Sequence, residues 1–215
     1  MARGRQPTDW LGGADRELVR RVDTALALAE DRARGHLVCR LGCIECCIGP
    51  FEITALDAHR LRRGSRLLES VDAATASRLI ARAGAQWRVL AGEFPGHTAS
   101  GMLGPDERER EEFFASHSDL PCPALDPETG ACVVYAYRPI SCRTFGLPIH
   151  CAGELLAPCR LNFVGAAADD VPACAIDPDP GDLEGAILAQ MDREGLSGDT
   201  TVAAALALTA VSARP

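Results

Sequence analysis

The ten cysteines of this 215-residue chain are the residues whose type and spacing could do chemistry. The first group reads Cys39-Arg-Leu-Gly-Cys43-Ile-Glu-Cys46-Cys47, and a second group begins at Cys122, 75 positions further along the chain. Two residues separate Cys43 from Cys46, a spacing that lets two thiolates of one tight turn reach the same metal. Thiolates are soft ligands, so the pattern predicts a site for zinc, copper(I) or an iron–sulfur cluster.

The second group lies in a longer pattern. It reads Cys122-Pro-Ala-Leu, then Cys132-Val-Val-Tyr-Ala-Tyr-Arg-Pro-Ile-Ser-Cys142-Arg-Thr-Phe, and Cys151, Cys159 and Cys174 follow. Taken with the first group, this pattern resembles the YkgJ-type cysteine cluster proteins, a family described as chelating zinc or iron, to which the flagellin lysine methylases are also similar.

The resemblance covers about residues 39–160 and implies eight metal ligands. The family has two residues between its first two cysteines, whereas three separate Cys39 from Cys43. For the relatives, the resemblance implies iron–sulfur binding and, in the methylases, methyl transfer from S-adenosylmethionine to protein lysines. The implied ligands are Cys39, Cys43, Cys46, Cys47, Cys122, Cys132, Cys142 and Cys159.

Two other interpretations of the cysteines compete with metal binding. Disulfides would suit a secreted chain, and inert thiols would suit a core, but a reducing compartment favours metal ligands. Cys174 lies outside the resemblance and is most simply a small buried side chain. The spacing from Cys39 through Cys43 to Cys46 is also that of radical S-adenosylmethionine enzymes, but this chain lacks the strand–helix alternation of their barrel.

Several neighbours of the cysteines are candidates for binding a cofactor. Arg138 and Arg143 would compensate the negative charge of a thiolate-rich site, or would be ordinary ion-pair arginines. Tyr135 could donate a hydrogen bond to a sulfur atom, or could serve packing alone. His36 and His150 lie close to cysteines in the sequence and are candidates for mixed ligation, although a surface or core imidazole is the simpler interpretation.

Composition excludes several classes of partner. The chain carries 30 acidic and 22 basic side chains, a formal net charge of −8, which disfavours binding to nucleic acid and to anionic lipid. Residues 1–10 show no secretory signal, and the longest apolar run near the end, residues 202–208, is too short to span a membrane. We therefore predict a cytoplasmic protein whose partners are metal ions and, in addition, a protein substrate or partner.

Periodicity predicts a mainly α fold, with helices packed around an irregular cysteine-rich metal-binding segment and little β-structure. Residues 121–180 hold most of the 14 prolines and six of the ten cysteines, so this segment cannot form long helices. We expect a metal-binding domain over residues 1–180 and a helical extension over 181–215. The predicted helices span 15–34, 54–61, 72–90, 106–112, 182–195 and 200–212, and Gly64 is expected to stop the second of them. Residues 92–105 are predicted to form a loop, and residues 132–137 have β character.

Three functional hypotheses follow. The first is an iron–sulfur or polynuclear iron protein that serves redox or methyl-transfer chemistry; as an enzyme it would be a metal-cluster-dependent oxidoreductase or an S-adenosylmethionine-dependent protein methyltransferase. The second is a zinc-binding structural or interaction module without catalysis. The third is a thiol reservoir that carries metal. Thiolates bind both zinc and iron, so the sequence leaves the choice of metal open.

Overall fold

The computed structural model describes residues 10–33, 35–151 and 153–208. The fold is mainly α, as predicted, and within those residues the strands form short two-stranded antiparallel sheets. The helices are α1 Leu11–Arg32, α2 Ala55–Val71, α3 Ala73–Leu90, α4 Glu107–Ser116, α5 Ile140–Thr144, α6 Asp170–Ala173, α7 Leu183–Arg193 and α8 Val202–Ala207. The strands are β1 Glu52–Ile53, β2 Gly96–His97, β3 Met102–Leu103, β4 Ile149–Cys151, β5 Glu154–Leu156 and β6 Thr200–Thr201, paired β1 with β6, β2 with β3 and β4 with β5.

The described residues form two compact units. The first unit contains the residues up to Arg40 together with Ile140–Leu196, and the second contains Leu41–Pro139 together with the residues from Ser197 onward. The predicted division after residue 180 stays a prediction.

In the second unit, α2 and α3 pack against each other and against α8. Both long helices begin at a side-chain cap: Thr54 accepts a hydrogen bond from the backbone N–H of Asp57, and Asp72 accepts one from that of Thr75. The apolar faces meet in a core that includes Leu61, and strand β1 pairs with β6 through Ile53 opposite Thr200. Other members of this core are Ala58, Leu79, Ala83, Ala124, Val134, Val202, Ala205 and Leu206.

In the first unit, α1 contacts α5 and α7. Helix α1 begins at Leu11 and not at Asp15 as predicted, because Leu11 is buried and extends the apolar face that carries Leu18 and Val22. Strand β4 pairs with β5 through Ile149 opposite Leu156. Position 34, where the prediction ended the first helix, lies outside the described residues.

Four other predicted helices are present in the structure, one of them only partly within the described residues. The helices predicted over 72–90, 106–112 and 182–195 are present as α3, α4 and α7, each with an aspartate whose side chain caps its first turn. Helix α8 starts after its Thr201 cap, and the end predicted for it at residue 212 lies outside the described residues. No helix among the described residues is long and apolar enough to cross a membrane.

Two predictions of secondary structure were wrong. The helix expected to stop at Gly64 continues to Val71, because Gly64 is an interior position packed against a side chain and does not terminate the helix. The stretch 132–137 is not a strand: Cys132 forms one isolated bridge with Leu125, and a 3₁₀ helix follows over Tyr135–Tyr137. The predicted loop 92–105 additionally contains the β2–β3 pair.

Candidate metal centre

The first cysteine group folds into a tight turn followed by one turn of 3₁₀ helix. Gly42 has a φ of +87°, a conformation that glycine adopts without strain, and Cys43 follows it half-buried. The 3₁₀ helix Glu45–Cys47 then places two adjacent thiols, with the Sγ atoms of Cys46 and Cys47 4.0 Å apart. A Cβ on Gly130 would lie 3.1 Å from the Cα of Gly42, so two loops of the second unit approach closely here.

Backbone pairing brings the second cysteine group to the first. The N–H of Cys122 donates to the carbonyl oxygen of Cys47 at 2.7 Å, and Ile48 forms an antiparallel bridge with Pro121. Cys132 in turn lies opposite Leu125 in another antiparallel bridge. Residues separated by 75 positions thus meet through main-chain hydrogen bonds, which hold Cys122 beside Cys47 independently of any side chain.

The four thiols of Cys46, Cys47, Cys122 and Cys132 form one electrostatic group, which we call the thiol cluster. A hydrogen bond from Cys47 lowers the pKa of Cys46 to about 6, while the same bond raises the pKa of Cys47. Burial raises the pKa of Cys122 to about 12 and also raises that of Cys132. Charge on Cys122 or Cys132 raises the pKa of Cys47, so additional thiolates in this group require a compensating cation.

Arg138 supplies positive charge to the thiol cluster. Its guanidinium lies over the ring of Tyr135, 3.8 Å from the ring centroid, and donates to the carbonyl oxygen of Tyr135 at 3.0 Å. The charge of Arg138 contributes to lowering the pKa of Cys46 and opposes the burial that raises the pKa of Cys132. Tyr135 as a whole residue is 63% exposed, and its ring is the surface against which this arginine packs.

Three other predicted ligands, Cys39, Cys142 and Cys159, lie in the first unit. Cys39 is exposed, Cys142 is half-buried on α5, and Cys159 is buried. Cys151 is exposed at the end of β4, and Cys174 is buried, as the sequence suggested for a packing residue. The convergence of Cys142 with the thiol cluster, and the ligand roles of Cys39, Cys43 and Cys159, stay predictions.

Arg143 is held in an ion pair within the first unit. Its side chain is only 2% exposed, and a guanidinium nitrogen lies 2.6 Å from a carboxylate oxygen of Asp23 on α1. Arg143 is thus an ion-pair arginine, as one of its two interpretations from the sequence expected. Arg138 differs, because its charge contributes to lowering the pKa of Cys46 in the thiol cluster.

The two histidine candidates have different surroundings. His36 stacks on Phe163 with ring centroids 5.1 Å apart, and its Nε2 lies 3.8 Å from a carboxylate oxygen of Asp170. His150 is exposed on β4, where its backbone N–H donates to the carbonyl oxygen of Ile176. Packing and backbone pairing account for these positions.

The donor set of the thiol cluster fits a soft metal. Two thiolates bound to one tetrahedral metal at about 2.3 Å lie roughly 3.8 Å apart, close to the 4.0 Å between Cys46 and Cys47. Among the described residues, no three cysteine, histidine, aspartate or glutamate side chains already have the spacing of a complete ligand set.

One functional candidate was missed from the sequence. Asn162 is buried in the first unit, and its side-chain N–H donates a hydrogen bond to the Cys39 sulfur, with Nδ2 and Sγ 3.4 Å apart. The one sequence signal for Asn162 is its position three residues after Cys159. A single buried asparagine belongs to no helical or strand periodicity, so the sequence pattern does not reveal it.

Comparison with known proteins identifies the family. Residues 38–157, more than half of the chain, match the model of the family described as "CxxCxxCC: Putative zinc- or iron-chelating domain". The matched span includes the thiol cluster, Cys39, Cys142 and Cys151, and ends before Cys159. Neither the comparison with curated proteins nor that with solved structures returned a match. The chain belongs to the CxxCxxCC family of zinc- or iron-chelating domains, which confirms the YkgJ-type resemblance.

Proposed function

We propose that this protein binds iron, as an iron–sulfur cluster or a polynuclear iron centre, through the thiol cluster, and that the centre serves redox chemistry. The observation that carries the proposal is the main-chain pairing of Cys47 with Cys122, which joins two distant cysteine groups at one place. When bound, such a centre supplies reversible one-electron transfer.

The arrangement of the cysteines favours iron over zinc. Paired structural zinc sites are typically built from repeated CxxC elements, but only Cys43 and Cys46 have that spacing here. Ten cysteines also exceed the four that one tetrahedral zinc ion requires.

The residues around the thiol cluster would set the properties of the bound centre. Arg138 would offset the negative charge of several thiolates, and charge near a cluster is one determinant of its reduction potential. Partial burial of the thiols would limit access of water to the sulfur atoms. Methyl transfer from S-adenosylmethionine rests on the family resemblance alone.

Metal and sulfide analysis of protein made and purified without oxygen tests the proposal. We expect stoichiometric iron with acid-labile sulfide and a broad visible absorbance that bleaches with dithionite. The Cys46→Ala and Cys122→Ala variants should lose this metal, whereas Cys174→Ala, the matched control at a buried cysteine outside the cluster, should keep it.

Two results would contradict the proposal in different ways. Stoichiometric zinc without iron or sulfide in anaerobic protein would favour the structural zinc module. Protein that contains neither metal and takes up neither Fe²⁺ nor Zn²⁺ would remove metal binding as the function. Zinc in protein from aerobic cells does not discriminate, because zinc displaces iron readily at thiolate sites.

A further inference from the structure

Asn162 makes a set of hydrogen bonds that converge on Cys39. It follows the buried Cys159 in a turn of the first unit and is only 4% exposed. Its Oδ1 accepts the backbone N–H of Val38 at 3.0 Å, and its Nδ2 donates to the carbonyl oxygen of Gly146 at 2.6 Å. The same Nδ2 lies 3.4 Å from the Sγ of Cys39. A buried carboxamide thus has every polar atom directed at a partner.

The two backbone partners fix which end of the carboxamide faces the sulfur. The N–H of Val38 needs an acceptor and the carbonyl of Gly146 needs a donor, so flipping the amide of Asn162 would break both bonds. Nδ2 carries two hydrogens, one for the Gly146 carbonyl and one for the Cys39 sulfur. Oδ1 lies further from that sulfur, at 3.8 Å, so the nearer contact is the donor.

The surrounding backbone holds this geometry in place. The N–H of Phe163 donates to the carbonyl oxygen of His36 at 2.8 Å, and the two rings stack. Phe163 has a φ of +58°, a conformation rare for a residue with a bulky side chain, so packing must compensate its strain. A Cβ on Gly146 would lie 3.0 Å from the Cys39 sulfur, and glycine there leaves the thiol room.

We infer that Asn162 is a positioning residue that holds the Cys39 thiolate as a metal ligand through an N–H···S hydrogen bond. The inference rests on the proposed function, and it adds a residue beyond the span matched by the family model, which ends at residue 157. Cys39 itself is exposed, whereas the Asn162 that contacts its sulfur is buried. Hydrogen bonds to ligand atoms commonly orient the ligand and tune the metal.

Cobalt(II) binding to the full-length, reduced, metal-free protein tests this inference. Thiolate-to-cobalt charge-transfer absorbance reports sulfur ligation, and competition with a chelator gives the dissociation constant. We expect Asn162→Ala to weaken Co²⁺ binding by roughly 10- to 100-fold, the usual effect of losing an outer hydrogen-bond partner of a ligand. Cys39→Ala, which removes the ligand itself, should weaken it at least as much. The charge-transfer intensity per bound Co²⁺ should also fall in both variants.

The double variant separates positioning from a structural role. If Asn162 acts through Cys39, then Asn162→Ala in the Cys39→Ala background should weaken Co²⁺ binding no further. An equal loss in both backgrounds would show that Asn162 only stabilises the fold and would overturn the inference, as would unchanged affinity in either single variant. If Asn162→Ala does not fold, Asn162→Ser, which keeps a small polar side chain, replaces it in the same double-mutant comparison with Cys39→Ala.

The two proposals fail in distinguishable ways. Wild-type protein that binds no Co²⁺ and holds no iron or zinc contradicts the proposed function. Wild-type protein that binds metal with an affinity indifferent to Asn162 contradicts only the inference about this residue.

Discussion

The ring of Tyr137 lies directly on the backbone of Gly64. A Cβ built on Gly64 would be 2.5 Å from the Cβ of Tyr137 and 2.6 Å from its Cγ, both near the fixed base of that side chain. Gly64 is buried in the interior of α2, and the guanidinium of Arg63 lies 5.3 Å from the centroid of the same ring. The glycine therefore admits the 3₁₀ helix Tyr135–Tyr137, which follows Cys132, against α2.

We predict that Gly64→Ala destabilises the protein. The added methyl group would force Tyr137 to shift, and such overpacking costs about 1–3 kcal/mol, more than the roughly 1 kcal/mol that alanine gains in helix propensity. Chemical denaturation measures the change. Gly84→Ala is the matched control, because Gly84 is interior to α3 and its Cβ would meet nothing within 4 Å. The control should be stabilising, and equal effects at both glycines would contradict the packing argument.

The same glycine shows how far the sequence predicts the fold. Periodicity and caps located α3, α4 and α7, because local hydrogen bonds and one apolar face determine these helices. Gly64 looked like a helix stop because its intrinsic propensity is poor, and only the ring of a residue 73 positions away explains its place inside α2.

The candidate site was predictable only where its residues are close together in the sequence. Cysteine spacing identified the groups that contain Cys46 and Cys122, since ligands must be thiols at short separations. Spacing could not reveal the hydrogen bond between the backbones of Cys47 and Cys122, nor the carboxamide of Asn162 behind Cys39, because both are contacts between distant segments.

We predict that one thiol of the thiol cluster in metal-free protein titrates well below the other three. The hydrogen bond from Cys47 lowers the pKa of Cys46 to about 6, so near neutral pH Cys46 should be alkylated faster than Cys47, Cys122 and Cys132. Mass spectrometry of peptides after brief iodoacetamide treatment at several pH values measures each cysteine. In Cys47→Ala the pKa of Cys46 should move back up. Equal alkylation profiles for Cys46 and Cys122 would contradict the prediction.

We also predict a stability maximum for the metal-free protein near pH 9. The pKa of Cys46 is lowered from its ordinary 9.0 to about 6, so between these values the unfolded chain binds more protons and stability rises with pH. The pKa of Cys122 is raised to about 12, so above pH 9 the native state keeps a proton that the unfolded chain loses, and stability falls. Thermal unfolding at constant ionic strength measures both limbs. Cys46→Ala should flatten the lower limb, and an unchanged slope would refute its assignment to this thiol.

We predict that Arg138→Gln weakens metal binding without destabilising the fold. Removing the guanidinium leaves the charge of the bound thiolates less compensated, and we expect roughly tenfold weaker binding, the lower end for residues around a ligand shell. The metal affinity of Arg138→Lys should lie between those of the wild type and Arg138→Gln, because lysine keeps the charge but not the planar stack on Tyr135. Chelator competition measures the affinity. Arg88→Gln, at an exposed position on α3, should leave it unchanged, and an equal loss there would indicate an unspecific charge effect.

We predict that breaking the Asp23–Arg143 pair lowers stability without changing metal binding, the reverse of the effect expected for Arg138→Gln. Asp23→Ala removes the carboxylate next to a guanidinium that is only 2% exposed, while Asp23 itself is 49% exposed and partly solvated. We therefore expect a loss of about 1–3 kcal/mol in unfolding free energy, below the cost of breaking a fully buried pair. Glu112→Ala, which breaks the exposed pair with Arg108, is the control and should cost less than about 1 kcal/mol. Metal content should not change in either variant. Metal loss in Asp23→Ala at unchanged stability would instead assign Arg143 to charge compensation of the metal centre.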